Sequence, residues 1–81
     1  MAITLEQAKA LKRGQILYEI GKFNSDGTPR RWKVNGQVQT WIRKPGRVRV
    51  PIKYGLYGYG ELTSEDLHLV CLTAEEALES K

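Results

Sequence analysis

The sequence predicts a mainly β domain with a short helix at each end, an α+β arrangement of about five antiparallel strands, and three observations carry that reading. Apolar and polar residues alternate through most of the stretch from Gln15 to Lys53. The turn-forming pairs Asn35-Gly36 and Pro45-Gly46 interrupt that alternation. Capping patterns stand near both ends, at Thr4-Leu5-Glu6-Gln7 and Thr73-Ala74-Glu75-Glu76. With 81 residues the chain reads as one domain, 1–81, close to the smallest size that a hydrophobic core stabilises unaided. Five short strands in a meander, with one helical turn before the last, are what a small SH3-like antiparallel barrel requires. A strongly bent meander sheet of fewer strands with a helix across it is the alternative.

The first helix is expected over 5–12. Thr4 and Gln7 can satisfy its free N–H groups, Leu5, Ala8 and Leu11 form its apolar stripe, and Lys12 and Arg13 suit its negative end. Gly14 can then adopt the left-handed conformation that closes it. The first strand, at about 15–20, carries Ile16, Tyr18 and Ile20 on one face. Asn24-Ser25-Asp26-Gly27 forms a turn-rich loop, and its single acid argues against calcium.

Three strands are expected at about 30–34, 37–43 and 47–53, and their register follows from the turns. A two-residue loop at Asn35-Gly36 pairs Val34 with Gln37 and Trp32 with Gln39. A two-residue loop at Pro45-Gly46 pairs Arg43 with Val48, Trp41 with Val50 and Gln39 with Ile52. Directly paired residues share a face, so Trp32, Val34, Trp41, Val48, Val50 and Ile52 gather as a core. A competing register adds one residue at the second turn and pairs Ile42 with Val48 and Thr40 with Val50. It buries Val38 and Ile42 and turns Trp41 outward beside Arg49. The first register is preferred because two buried tryptophans add most to so small a core.

Tyr54-Gly55-Leu56-Tyr57-Gly58-Tyr59-Gly60 is extended, with glycines marking bends, bulges or close backbone approach. Thr63-Ser64-Glu65-Asp66 starts a helical turn, Leu67 to Leu72 is the last strand, and a helix at about 74–79 ends the domain.

Charge is unevenly distributed. The net charge is +4, yet Glu61, Glu65, Asp66, Glu75, Glu76 and Glu79 place six of the nine acids in the last 21 residues. From Gly27 to Gly60 no acid occurs, while Arg30, Arg31, Lys33, Arg43, Lys44, Arg47, Arg49 and Lys53 all do. Such asymmetry points to an anionic partner: nucleic acid, an acidic protein surface or a lipid headgroup. Arg31, Lys33, Arg47, Arg49 and Lys53 share one sheet face and can track phosphates, and Tyr54, Tyr57 and Tyr59 can stack on bases. The plain alternative is a solvated strand face with tyrosines drawn partly into the core. A protein-interaction module is the second functional reading, with Val38 and Ile42 as apolar anchors ringed by cations and an acidic host or virion protein as partner.

The segments Arg31-Trp32-Lys33-Val34-Asn35-Gly36, Thr40-Trp41, Arg47-Val48-Arg49-Val50-Pro51 and Leu67-His68-Leu69-Val70 together resemble short phage and bacterial proteins of unassigned function. The likeness spans about residues 14–72. It implies a phage or mobile-element origin and cytoplasmic action, and it assigns no role to any residue.

Catalysis finds little support, and the expectation is a non-enzymatic domain without cofactor or metal. His68 and Cys71 lie three apart on an expected strand, hence on opposite faces, and no further ligands cluster with them. Cys71 between Val70 and Leu72 reads as a buried small hydrophobe rather than a nucleophile. The glycines from 55 to 60 lack the spacing and following helix of a dinucleotide fingerprint. A lone cysteine, no apolar run of membrane length and no leader-like start make the cytoplasm the default location. Exposed strand edges make a dimer conceivable.

Overall fold

The capping box at the start of the chain forms as the residues dictate. In the computed structural model, which describes residues 2–55 and 58–79, the Gln7 N–H donates to Thr4 Oγ1 at 3.1 Å and the Thr4 N–H donates to Gln7 Oε1 at 2.9 Å. Helix α1 (Leu5–Lys9) follows and is shorter than expected. The Ala10 N–H is shared between the Glu6 and Gln7 carbonyls and the Leu11 N–H turns back to Ala8, which tightens the chain out of the helix. Gly14, at φ +92°, then directs the chain into the sheet, where its N–H donates to the Val34 carbonyl at 2.8 Å.

Six antiparallel strands form one sheet: β1 (Ile16–Phe23), β2 (Pro29–Val34), β3 (Gln39–Trp41), β4 (Lys44–Tyr54), β5 (Gly58–Thr63) and β6 (Val70–Cys71). Helix α2 (Ala74–Glu79) ends the described chain. The strand order is β3-β4-β2-β1-β6, with β5 also on β4. The sheet does not close into a barrel, which corrects the closed form of the expected fold. The two-residue β6 pairs only with Tyr18 and Glu19 of β1.

Strand β4 is the spine. One edge carries β5 in unbroken register from Arg49↔Thr63 to Tyr54↔Gly58. Its other edge carries β3 and then β2, at Gln39↔Arg49 and Thr40↔Val48, then Val34↔Ile52 and Lys33↔Lys53. Strands β2 and β3 therefore act as one strand interrupted by residues 35–38, and the expected Asn35-Gly36 hairpin is not formed. A tight hairpin of that type needs positive φ at both residues, and neither has it. Instead the Asn35 N–H donates to the Pro51 carbonyl at 2.8 Å, keeping the chain beside β4.

The second turn is also displaced. Trp41 pairs with Lys44 around Ile42-Arg43, and Pro45-Gly46 lies inside β4, where Gly46 has no positive φ. The register shifts between Thr40 and Trp41, so three extra residues on β4 form a bulge. The preferred register is thereby overturned. Thr40 opposite Val48 puts Val38 against the core, and Trp41 leaves the core side. The competing register has Val38 and Trp41 on the correct sides, but its pairing is two residues off, and Ile42, which it buries, is fully exposed at the tip.

The core lies on one face of the sheet. Leu17, Val34, Val48, Val50, Ile52, Leu62 and Val70 pack with Ile3, Ala8 and Leu11 from the N-terminal segment, and Trp32 packs at the margin. Leu17, not Ile16 or Tyr18, is the residue of β1 that is fully buried. Its partner Trp32 follows it onto the core face.

The expected last strand is mostly a 3-10 helix (Ser64–Leu69), and only Val70 and Cys71 are strand. Asp66 accepts from both the Thr63 N–H and hydroxyl, at 3.2 and 2.9 Å, which winds the segment before extended pairing begins. His68 consequently sits exposed on a 3-10 turn.

Candidate functional site

The face of the sheet opposite the core is built by strand parity. Val48, Val50 and Ile52 point inward from β4, so Arg47, Arg49, Pro51 and Lys53 point outward. The same parity turns Arg31 and Lys33 of β2, Gln39 and Trp41 of β3, and Tyr59, Glu61 and Thr63 of β5 to that side. Five of the cations singled out from sequence therefore do share a face.

They form two groups. One row crosses four strands as Ile16, Lys33, Lys53 and Tyr59, each directly opposite the next. Arg31 lies beside it, opposite Tyr18. The Lys53 ammonium stands 5.5 Å from the centre of the Tyr59 ring. Ile16, Arg31, Lys33, Lys53 and Gly55 line a shallow depression of about 320 Å³ there. The second group is centred on Trp41. The Arg47 guanidinium lies 4.3 Å from its ring centre and that of Arg49 lies 5.9 Å away, both within cation–π range.

Between the groups stands Glu61, opposite Pro51 on β5. Its carboxylate lies 3.2 Å from Arg49 Nε, and both side chains are about half exposed, so the pair adds little stability. Its effect is to neutralise part of the charge of Arg49. The acid-free stretch ends one residue before Glu61, so chain order alone hid an acid that pairing brings onto the basic face. Trp41 was missed for a related reason: the preferred register placed it in the core. The alternation of Arg47 and Arg49 with Val48 and Val50, read with the competing register, contains the correct placement.

The tyrosines separate. Tyr59 belongs to the basic face and is 61 % exposed. Tyr54 has the opposite parity and lies at the end of the core face, with its ring centre 6.3 Å from that of Trp32 and the planes at 45°. Its hydroxyl donates to the Tyr59 carbonyl at 3.4 Å. A side chain at Gly58 would collide with the Tyr54 ring and carbonyl, and one at Gly60 would touch the ring at 3.1 Å. Close backbone approach thus explains these two glycines, while Gly55, at φ +72°, makes the bend. Tyr57 lies outside the described residues.

Trp32 and Tyr54 wall a cleft of about 630 Å³ that is completed by Glu19, Asn24, Arg30, Arg31 and Gly55. Cys71 is fully buried, and its Sγ lies 3.3 Å from the Thr73 carbonyl and 3.6 Å from that of Tyr18. Burial, reinforced by the Glu76 carboxylate, pushes its thiol above the ordinary range. That is the reverse of what a nucleophilic cysteine needs. No cluster of three or more His, Cys, Asp or Glu side chains suited to a metal occurs among the described residues, and no helix among them is long and apolar enough to cross a membrane.

The chain matches no family model, no curated protein and no solved structure.

Proposed function

We propose that this is a non-enzymatic binding domain that holds nucleic acid on its basic sheet face, chiefly through phosphate contacts and with little sequence preference. The observation that carries this reading is the direct pairing of Lys33 with Lys53. Like charges opposite one another across two strands are unfavourable. Arg31 adjoins them, and none of the three has a carboxylate partner among the described residues. A polyanion laid along this row relieves that repulsion. Tyr59, and Trp41 with its two arginines, supply aromatic surface along the same path.

The strand order resembles that of an SH3-like barrel left open, a shape that offers such a face. The proposed setting is the cytoplasm of a bacterium, as host if a phage encodes the chain. The test is direct binding of single- and double-stranded DNA and RNA at low salt, alongside a pull-down from lysate with and without nuclease. Binding that fails for every nucleic acid sinks the reading.

A second reading has its own observation. Ile42 is fully exposed at the tip of the β3–β4 turn and is followed by Arg43 and Lys44. An acidic protein with an apolar hollow would fit that tip. Val38 cannot join it, because it packs on the core. A partner retained after nuclease and lost with Ile42→Ser would favour this second reading.

A further inference from the structure

We propose that the nucleic acid is single-stranded and that one unpaired base enters the Trp32–Tyr54 cleft; this rests on the reading of the basic face just given. The cleft opens on the core side of the sheet and the basic row lies on the other side, and the two meet at the sheet margin. Arg31 and Gly55 line both the cleft and the depression that holds Lys33 and Lys53. A strand whose phosphates follow Lys53, Lys33 and Arg31 reaches the cleft mouth by turning around that margin at Arg31 and Gly55.

The chemistry divides accordingly. Cations line the row, where phosphates belong. The cleft is lined by Glu19 together with Arg30 and Arg31, so charge does not turn a phosphate away from it; what sets it apart from the row is the pair of aromatic rings, which offer flat apolar surface to a base. The rings stand too close to sandwich a base between them, and at 45° they form two walls for it to lie against. Tyr54 is held in place by Gly58, Gly60 and its hydroxyl contact to Tyr59, so that wall is formed before binding. Glu19 also gives the cleft an acceptor for an exocyclic amine, as on cytosine. Bases in a duplex are stacked and paired, and their faces cannot reach such walls.

The test compares four probes on the intact protein: a short oligodeoxycytidine, an abasic phosphodiester strand of equal length, a duplex, and a short proline-rich peptide. Trp32 is observed alone by fluorescence in a Trp41→Phe variant. The expected result is that oligodeoxycytidine binds about tenfold tighter than the abasic strand and quenches Trp32, one stacked base accounting for a change of that order. Tyr54→Leu should remove that advantage and leave abasic binding unchanged; if this variant does not fold, the comparison on the unmodified protein decides.

Equal binding of the two single strands without quenching overturns the cleft proposal and leaves the basic face standing. Tighter binding of the duplex also overturns it. Quenching of Trp32 by a proline-rich peptide but not by the oligonucleotide overturns it in favour of a protein partner. Failure of all three polyanions to bind removes the basic-face reading, and the cleft proposal with it.

Discussion

At the scale of single residues, the two tryptophans have opposite jobs although they resemble each other in sequence. Trp32 shares the core face with Leu17, and Trp41 lies outside beneath two arginines. Trp32→Ala should cost about 3 kcal/mol or more, in line with truncating a large packed aromatic. Trp41→Ala should cost about 1 kcal/mol, the scale of an exposed cation–π contact. Chemical denaturation of both variants checks this, and equal losses would contradict the register. Cys71 behaves as a core atom. Native protein should react slowly with a thiol reagent and denatured protein quickly. Because burial raises its thiol above the reference value of 9.0, its contribution is intact below that pH. Stability should therefore fall as pH rises from there through the folded-state value, and Cys71→Ala should flatten that alkaline loss.

At the scale of elements, β5 shows how glycines disguise a strand. The three glycines between Tyr54 and Glu61 read as bends, bulges or close backbone approach, and close approach holds for two of them, which let the Tyr54 ring cross the backbone. Gly58→Ala should lower stability by about 1–3 kcal/mol through overpacking, measured by thermal unfolding. Gly60→Ala, with a softer contact, should lower it less. Much of the remaining framework was legible: the Thr4 capping box, the Thr73 hydroxyl cap on the Glu76 N–H, the Thr63 turn, the inward set Val34, Val48, Val50 and Ile52, and the outward cations. What was not legible depended on long-range pairing. Asn35-Gly36 has the local chemistry of a hairpin, but a hydrogen bond to Pro51 holds it along β4 instead. Pro45-Gly46 likewise yielded to the pairing of Trp41 with Lys44. Local turn propensity sets what a segment can do, and the neighbouring strand decided between the options. The Trp32–Tyr54 cleft was invisible for the same reason, since its walls come from strands that meet only through that pairing.

At the scale of the whole molecule, the sheet places its charge without regard to its own stability. Lys33 opposite Lys53 is an unfavourable pair, whereas Arg49 has found Glu61. Lys33→Glu should therefore raise stability by about 0.2–1 kcal/mol, by turning a repulsive cross-strand pair into an attractive one. The same change should weaken nucleic-acid binding, so stability and affinity should move in opposite directions. Arg49→Glu should do the reverse for stability, because it faces Glu61. The most direct test of the basic face is the salt dependence of single-strand affinity, measured for the natural protein and for Lys33→Gln/Lys53→Gln. With about four phosphates contacted, the log–log slope should be near −3, and loss of two contacts should make it shallower by about 1.4. A slope that is the same in both proteins, or no binding at low salt, would contradict the assignment of this face.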